Sequence, residues 1–333
     1  MFLSSRLSFI YFKFIASLGN RIVHQPALVW LLVIGLSLSA CTARVQAIAN
    51  PTGSPTPGNP LITTQVPTEF SLPPSATAAP SASHQPSLTP TPAPSPTTPA
   101  CWQAGGRMEF GSLRDPHLPL PMEFRVYLPP CYDQFADQRY PVLYLIHGMN
   151  YNDDQWDRLG ADDVADELIR KKEIHPFLIV MPRDRSWSQP DQDGFGQAVI
   201  NTLIPYIDTV YRTLPDRAHR ALGGLSRGAS WTVHLGLTHW ELFSALGLHS
   251  LPVFWADTPH VRQWLDAIPR DSLPRIFMDT GDKDYLIRST EWFEKVLTEK
   301  NIPHEWYLFP GYHEEAYWSA HVEQYIRWYA EDW

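Results

Sequence analysis

The hydrophobic pattern changes character along the chain, and from about residue 120 it becomes that of a packed domain. Met122 to Leu128 alternates apolar and polar positions, as a half-exposed strand does. Val142–Ile146 and Phe177–Met181 are unbroken apolar runs, the mark of strands covered on both faces. Between them Ala161 to Lys172 has helical spacing through Val164, Leu168 and Ile169. Its acidic Asp162 and Asp163 come early and its basic Arg170 to Lys172 late, which suits the helix dipole. A longer amphipathic helix is predicted from Phe195 to Thr213. Arg220 to Leu222 reads as a strand entering a glycine turn, and Ser230 to His239 continues as helix. Further strands are predicted at 243–248, 275–279 and 306–309, with helices at 290–300 and 315–329. Strand and helix thus alternate, which predicts an α/β fold: a mainly parallel central sheet with helices on both faces.

The first hundred residues follow other rules. Ala27 to Ala40 (ALVWLLVIGLSLSA) is uncharged over fourteen residues, too short for a bilayer span of about 20 residues and right for a signal-peptide core. It ends in Leu38-Ser39-Ala40-Cys41, which resembles the bacterial lipobox; the resemblance implies lipidation of Cys41 and a mature chain that begins there. Of the 32 prolines, 14 lie between Asn50 and Cys101, among Thr, Ser and Ala with Glu69 as the only charge. Nothing in that stretch can bury a core, so it is read as an extended spacer. The expected organisation is a signal peptide at 1–40, a tether at 41–100 and a catalytic domain at 101–333, placed in the cell envelope and held to the membrane only by its lipid.

Charge and cysteine count narrow the function. Only four of the 26 basic and one of the 35 acidic residues precede Cys101, so the domain carries 22 basic against 34 acidic side chains. That balance repels phosphate backbones and argues against a nucleic-acid partner. Three cysteines are too few for a four-thiolate zinc site. With Cys41 given to lipid, Cys101 and Cys131 remain as an exported pair, and a disulfide between them is expected.

The chemistry is concentrated in three late turns and one early one. Gly224-Leu225-Ser226-Arg227-Gly228 is G-x-S-x-G, set between a predicted strand and a predicted helix. Such a turn is sharp, holds its serine at a strained backbone angle and leaves no room for side chains at Gly224 or Gly228. A serine hydroxyl needs a base, and the base needs an acid to fix its tautomer. After the strand at 275–279 come Asp279, Asp282 and Asp284. After the strand at 306–309 comes Gly311-Tyr312-His313. The arrangement points to Ser226, His313 and Asp284, with Asp279 and Asp282 competing for the acid and His321, inside a predicted helix, for the base. At the end of Val142–Ile146 stands His147-Gly148-Met149, where the Met149 N–H, with that of Arg227, is placed to face a developing oxyanion.

These residues resemble the esterase D family of α/β-hydrolases, which includes feruloyl and acetylxylan esterases, S-formylglutathione hydrolases, enterochelin esterases and mycolyltransferases. The resemblance runs from about Phe124 to Trp328. It rests on Arg125-Val126-Tyr127-Leu128-Pro129-Pro130, on 140–148 (YPVLYLIHG), on 224–228, on Gly281-Asp282-Lys283-Asp284, and on Gly311-Tyr312-His313 with Tyr317-Trp318 following. It implies an α/β-hydrolase fold, with Ser226 as nucleophile, Asp284 as acid, His313 as base, and Met149 and Arg227 as oxyanion donors. No metal or cofactor motif accompanies them: His313-Glu314-Glu315-Ala316-Tyr317 lacks the second histidine of a zincin, and no G-x-G-x-x-G follows the early strands. Trp156, Trp187 and Trp255 fall in predicted loops and are candidates to line a sugar or aryl pocket. The expected activity is hydrolysis of small-molecule or carbohydrate esters. An acyltransferase of the mycolyltransferase type and a non-catalytic envelope binding protein on the same fold are the alternatives.

Overall fold

The computed structural model describes residues 99–333; the expected signal peptide and the tether up to residue 98, with Cys41, lie outside the described residues, and the tether's last residue, Ala100, already begins a helix. Eight strands form one mixed sheet in the order β1-β2-β4-β3-β5-β6-β7-β8. They are β1 (Arg107–Leu113), β2 (Met122–Leu128), β3 (Val142–Ile146), β4 (Leu178–Pro182), β5 (Arg220–Leu225), β6 (Ala245–His249), β7 (Arg275–Gly281) and β8 (Glu305–Phe309). β1 and β2 join antiparallel at one edge; from β4 to β8 every pairing is parallel. The helices are α1 (Ala100–Ala104), α2 (Gln155–Arg158), α3 (Ala161–Arg170), α4 (Phe195–Ala198), α5 (Ile204–Val210), α6 (Arg227–Thr238), α7 (Val261–Ala267), α8 (Ile287–Glu299) and α9 (Glu315–Tyr329).

Strand β3 shows why the sheet is central. All five of its residues are buried. Val142, Tyr144 and Ile146 enter the core shared with α6 and α8, whereas Leu143 and Leu145 enter the core shared with α3 and α9. Each such side chain contributes roughly 1.5–3 kcal/mol on burial. The α/β-hydrolase architecture is therefore as expected, with three local corrections. The single helix predicted over 195–213 is α4 and α5 joined by a π-helical turn at Val199–Leu203, and it ends at Val210. Pro205 has no N–H to give to the preceding turn, which widens it. Trp156 belongs to no loop; it is 1% exposed in α2 and donates its Nε1–H to the Ile146 carbonyl. Strand β1 had no counterpart in the predicted elements.

Cys101 and Cys131 are joined as a disulfide, closing a loop of 30 residues between α1 and the turn after β2. In the loop-entropy account such a closure is worth about 3–4 kcal/mol. A cost sits in α3. Asp162 Oδ1 is buried without a hydrogen-bond partner, and burial, with the Asp157 and Asp163 charges nearby, pushes the carboxyl up to about 6. A carboxyl raised on folding weakens the folded state as pH climbs from the unfolded value to the folded one. Asp162→Asn is expected to raise stability by on the order of 1 kcal/mol at pH 7.5, discounted because the group is partly exposed, and by nothing measurable at pH 4. Urea unfolding at the two pH values checks this; an equal gain at both would show that the charge is not the cause.

Candidate active site

The C-terminal ends of β3, β5, β7 and β8 converge on one pocket, and each delivers one part of the site. Strand β5 ends at the elbow. Ser226 has φ 52° and ψ −123°, a conformation strained for any side chain, and its N–H is held by the His249 carbonyl at 2.8 Å. A Cβ on Gly224 would come within 2.3 Å of the Gly228 backbone, and one on Gly228 within 2.0 Å of the Ile146 carbonyl. The two glycines let α6 begin directly against β3, so the turn is obligatory for this sequence.

Strand β8 leads into His313, and β7 into Asp284. Ser226 Oγ lies 2.8 Å from His313 Nε2, and His313 Nδ1 lies 2.8 Å from Asp284 Oδ2. The other carboxylate oxygen accepts the Leu286 N–H at 2.7 Å, and Thr280 Oγ1–H donates to Oδ2 at 3.1 Å. Burial pushes Asp284 up, but the bond from His313 and the Leu286 N–H outweigh it and hold the carboxyl below its ordinary value. It is therefore an anion whose acceptor sites are filled by donors. His313 itself is packed between Tyr285, with ring centroids 4.9 Å apart, and Trp318 at 5.0 Å.

The competing residues are placed elsewhere. Asp282 Oδ1 accepts the Gly311 N–H at 2.9 Å and shapes the turn. Asp279 is fully buried and accepts from His249 Nδ1–H at 2.6 Å and from the hydroxyls of Tyr317 and Tyr325. His321, on α9, donates to the Tyr317 carbonyl and stacks on Phe309. None of the three touches Ser226.

The loop after β3 is locked from both sides. The Asp184 N–H can only donate, so His147 Nε2, 2.9 Å away, accepts, and Nδ1–H then donates to the Gly148 carbonyl at 2.7 Å. Burial keeps the imidazole's pKa below its ordinary value, which favours this neutral tautomer. The Gly148 N–H donates to Gln155 Oε1 at 2.8 Å, and Gln155 Nε2–H donates to Glu315 at the start of α9. Because a peptide's N–H and C=O point in opposite directions, fixing the Gly148 carbonyl fixes the Met149 N–H as well. That N–H and the one on Arg227 have no hydrogen-bond partner among the described residues. A Cβ on Gly148 would lie 2.9 Å from Leu225 Cδ1 and 3.5 Å from Ser226 Cβ, so the loop passes directly beside the nucleophile.

Sequence reasoning missed the support behind this geometry. The Arg227 side chain is buried, with Nε 2.7 Å from Asp184 Oδ2 and Nη2 3.3 Å from Asp193 Oδ2; Trp231 Nε1–H also donates to Asp184. Gln155, fully buried, was missed too. The pocket in front of Ser226 holds about 500 Å³ and is lined by Met149, Tyr151, Trp187, Phe254, Trp255 and Tyr285 among others. Trp187 and Trp255 are 70% and 68% exposed at its mouth. A larger hollow of about 620 Å³ at the N-terminal ends of β7 and β8 has no hydroxyl or thiol nucleophile of Ser, Thr or Cys in its lining. Among the described residues no cluster of His, Cys, Asp and Glu is suited to a metal ion, and no helix is long and apolar enough to cross a membrane.

A serine at a strand–helix elbow, linked through histidine to a buried aspartate on this sheet, defines a serine hydrolase of carboxylesterase type on the α/β-hydrolase fold. The "Putative esterase" family model matches residues 116–331, and the chain belongs to that esterase family. An endo-1,4-beta-xylanase/feruloyl esterase of Xylanibacter ruminicola is 36% identical over 136 residues, which is 38% of this chain and only 19% of that protein. A solved ferulic acid esterase superposes with TM-score 0.62 at 24% identity, over 68% of this chain and 98% of its own. The S-formylglutathione hydrolase of Staphylococcus aureus gives 0.56 at 21%, again over 68% and 98%. At these identities the solved structures speak for the fold.

Proposed function

We propose that this chain is a lipid-anchored esterase of the cell envelope that hydrolyses aryl or short acyl esters of carbohydrates through an acyl-enzyme. The observation that carries the reading is the unbroken Asp284–His313–Ser226 chain opening into an aromatic-walled pocket. Ser226 Oγ attacks the ester carbonyl as its proton passes to His313 Nε2, and Asp284 stabilises the imidazolium. The N–H groups of Met149 and Arg227 receive the oxyanion, the alcohol leaves with the proton from His313, and water, activated by the same histidine, releases the acid. A cavity of about 500 Å³ is ample for a cinnamoyl-sized group, and the exposed indoles of Trp187 and Trp255 offer flat faces for a sugar ring at the mouth. The relative named as a xylanase/feruloyl esterase, 36% identical over 136 residues, supports the same substrate class.

The test is a p-nitrophenyl ester chain-length series read beside methyl ferulate and acetylated xylan. Turnover of methyl ferulate and short acyl esters, falling with longer chains, is expected; inertness toward every ester would sink the reading. The lipobox-like Leu38-Ser39-Ala40-Cys41 and the proline-rich stretch behind it supply the envelope address. Native protein should require detergent for extraction, and mass spectrometry should find a diacylated Cys41 at its N-terminus. An unmodified N-terminus would remove the anchor from the proposal and leave the chemistry standing.

A further inference from the structure

A second hollow, of about 220 Å³, opens on the far side of the oxyanion loop and shares Gly148, Met149, Asn150, Tyr151, Trp187 and Arg227 with the catalytic pocket. Its own walls are His147 and, from the segment that follows β4, Arg183, Asp184, Arg185 and Ser186. Charge on this wall is unevenly matched. Arg125, on the neighbouring β2, is surrounded by three carboxylates, with Asp157 at 2.5 Å, Asp153 at 3.1 Å and Asp154 at 3.9 Å. Arg183 and Arg185 have one between them: both guanidinium groups reach the same oxygen, Glu123 Oε2, at 2.5 and 2.6 Å.

Among the described residues no other carboxylate lies within ion-pair distance of either arginine. Arg183, Arg185 and Glu123 thus form a group with one net positive charge, beside an Arg227 that already carries two carboxylates, Asp184 and Asp193. Each guanidinium has five N–H donors in a planar fork suited to carboxylate; Arg183 spends one in a hydrogen bond to Glu123, and Arg185 meets the same oxygen as an ion pair. The carboxylate in the lining itself, Asp184, is engaged by Arg227, Trp231 and the Ser186 N–H. Both arginine side chains are about one-third exposed. They are reachable from the hollow yet partly shielded, where a charge-assisted bond counts for more than it does in open water.

We infer that Arg183 and Arg185 form a subsite for a carboxylate carried by the ester substrate, in the hollow that adjoins the catalytic pocket across the oxyanion loop. The inference rests on the esterase reading for what the substrate is, and the subsite takes either an acidic sugar-like alcohol portion or an acyl portion with a terminal carboxylate. Both sources present the same planar anion.

Binding to the inert Ser226→Ala protein separates this from turnover. Two matched pairs are titrated calorimetrically at low salt. In 3-acetoxybenzoate against 3-acetoxybenzamide the charge is on the alcohol side; in mono-p-nitrophenyl adipate against p-nitrophenyl hexanoate it is on the acyl side. The anionic member of one pair is expected to bind about five- to tenfold tighter than its neutral partner, and the preference should shrink with added salt. Arg183→Gln or Arg185→Gln should bring that ratio close to one. Glu123→Gln, which releases both guanidinium groups, should raise it. This opposite sign keeps the test decisive even where one arginine variant folds poorly. Equal affinities within both pairs, or a preference that Glu123→Gln lowers, would overturn the subsite. Loss of turnover in the wild type would bear on the esterase reading instead.

Discussion

Ser226→Ala should reduce kcat for p-nitrophenyl acetate by about 10⁴–10⁶-fold, with little change in the unfolding midpoint. The hydroxyl makes one side-chain hydrogen bond, to His313, and the strained backbone at φ 52° is fixed by Gly224, Gly228 and the His249 carbonyl whichever small residue stands there. His313→Ala should cost a similar factor. The double variant should be scarcely worse than either single one, because neither group accelerates the reaction without the other. A fluorophosphonate probe should label the wild type and leave Ser226→Ala unlabelled. Residual catalysis over water, from the Met149 and Arg227 N–H groups, is expected to persist in all three variants. Substantial hydrolysis by Ser226→Ala would mean that the chemistry lies elsewhere.

The parts of this site legible in the sequence are those set by local backbone rules. The elbow announces itself because its glycines are required where α6 meets β3, and β3 because it is apolar at every position. What stayed hidden depends on contacts between distant residues. Strand β1 has no fully buried residue, so it carries no hydrophobic period and exists only through its pairing with β2. Trp156 looked like a loop residue because α2 is four residues long, too short to show a period. Asp184 and Asp193 stand 43 and 34 residues before Arg227 in a stretch with no motif, and only the folded sheet makes them partners of one guanidinium. Gln155 likewise reaches across 160 residues to Glu315. The triad order was readable and pointed to Asp284, but spacing alone left Asp279 and Asp282 as competitors, since all three lie within six residues of one strand end. Geometry decides it: Asp284 faces His313, Asp279 faces His249, and Asp282 faces the Gly311 N–H.

That choice yields the second large effect. Asp284→Asn should lower kcat by about 10²–10⁴-fold. An asparagine that offers an N–H to His313 Nδ1 makes that nitrogen the acceptor and moves the ring proton to Nε2, where it faces Ser226 and can no longer take the hydroxyl proton. KM should change little, because Asp284 is buried behind the histidine and does not line the pocket. Asp282→Asn should cost less than about tenfold: the amide oxygen can still accept the Gly311 N–H, and the loss is confined to the turn. Asp279→Asn should act through stability, since one of its oxygens receives two tyrosine hydroxyls and the other a histidine, all buried. The pH behaviour of Asp284 sharpens the contrast. Its folded carboxyl is held below the unfolded value near 3.8, so its stabilising effect is present above about pH 4 and is lost as pH falls through the lower folded value. Asp284→Asn should therefore narrow the difference in stability between pH 7 and pH 3, measured by urea unfolding. If Asp282→Asn instead produced the larger loss in kcat, the hydrogen bond between Asp284 and His313 would not be the one that fixes the tautomer during turnover.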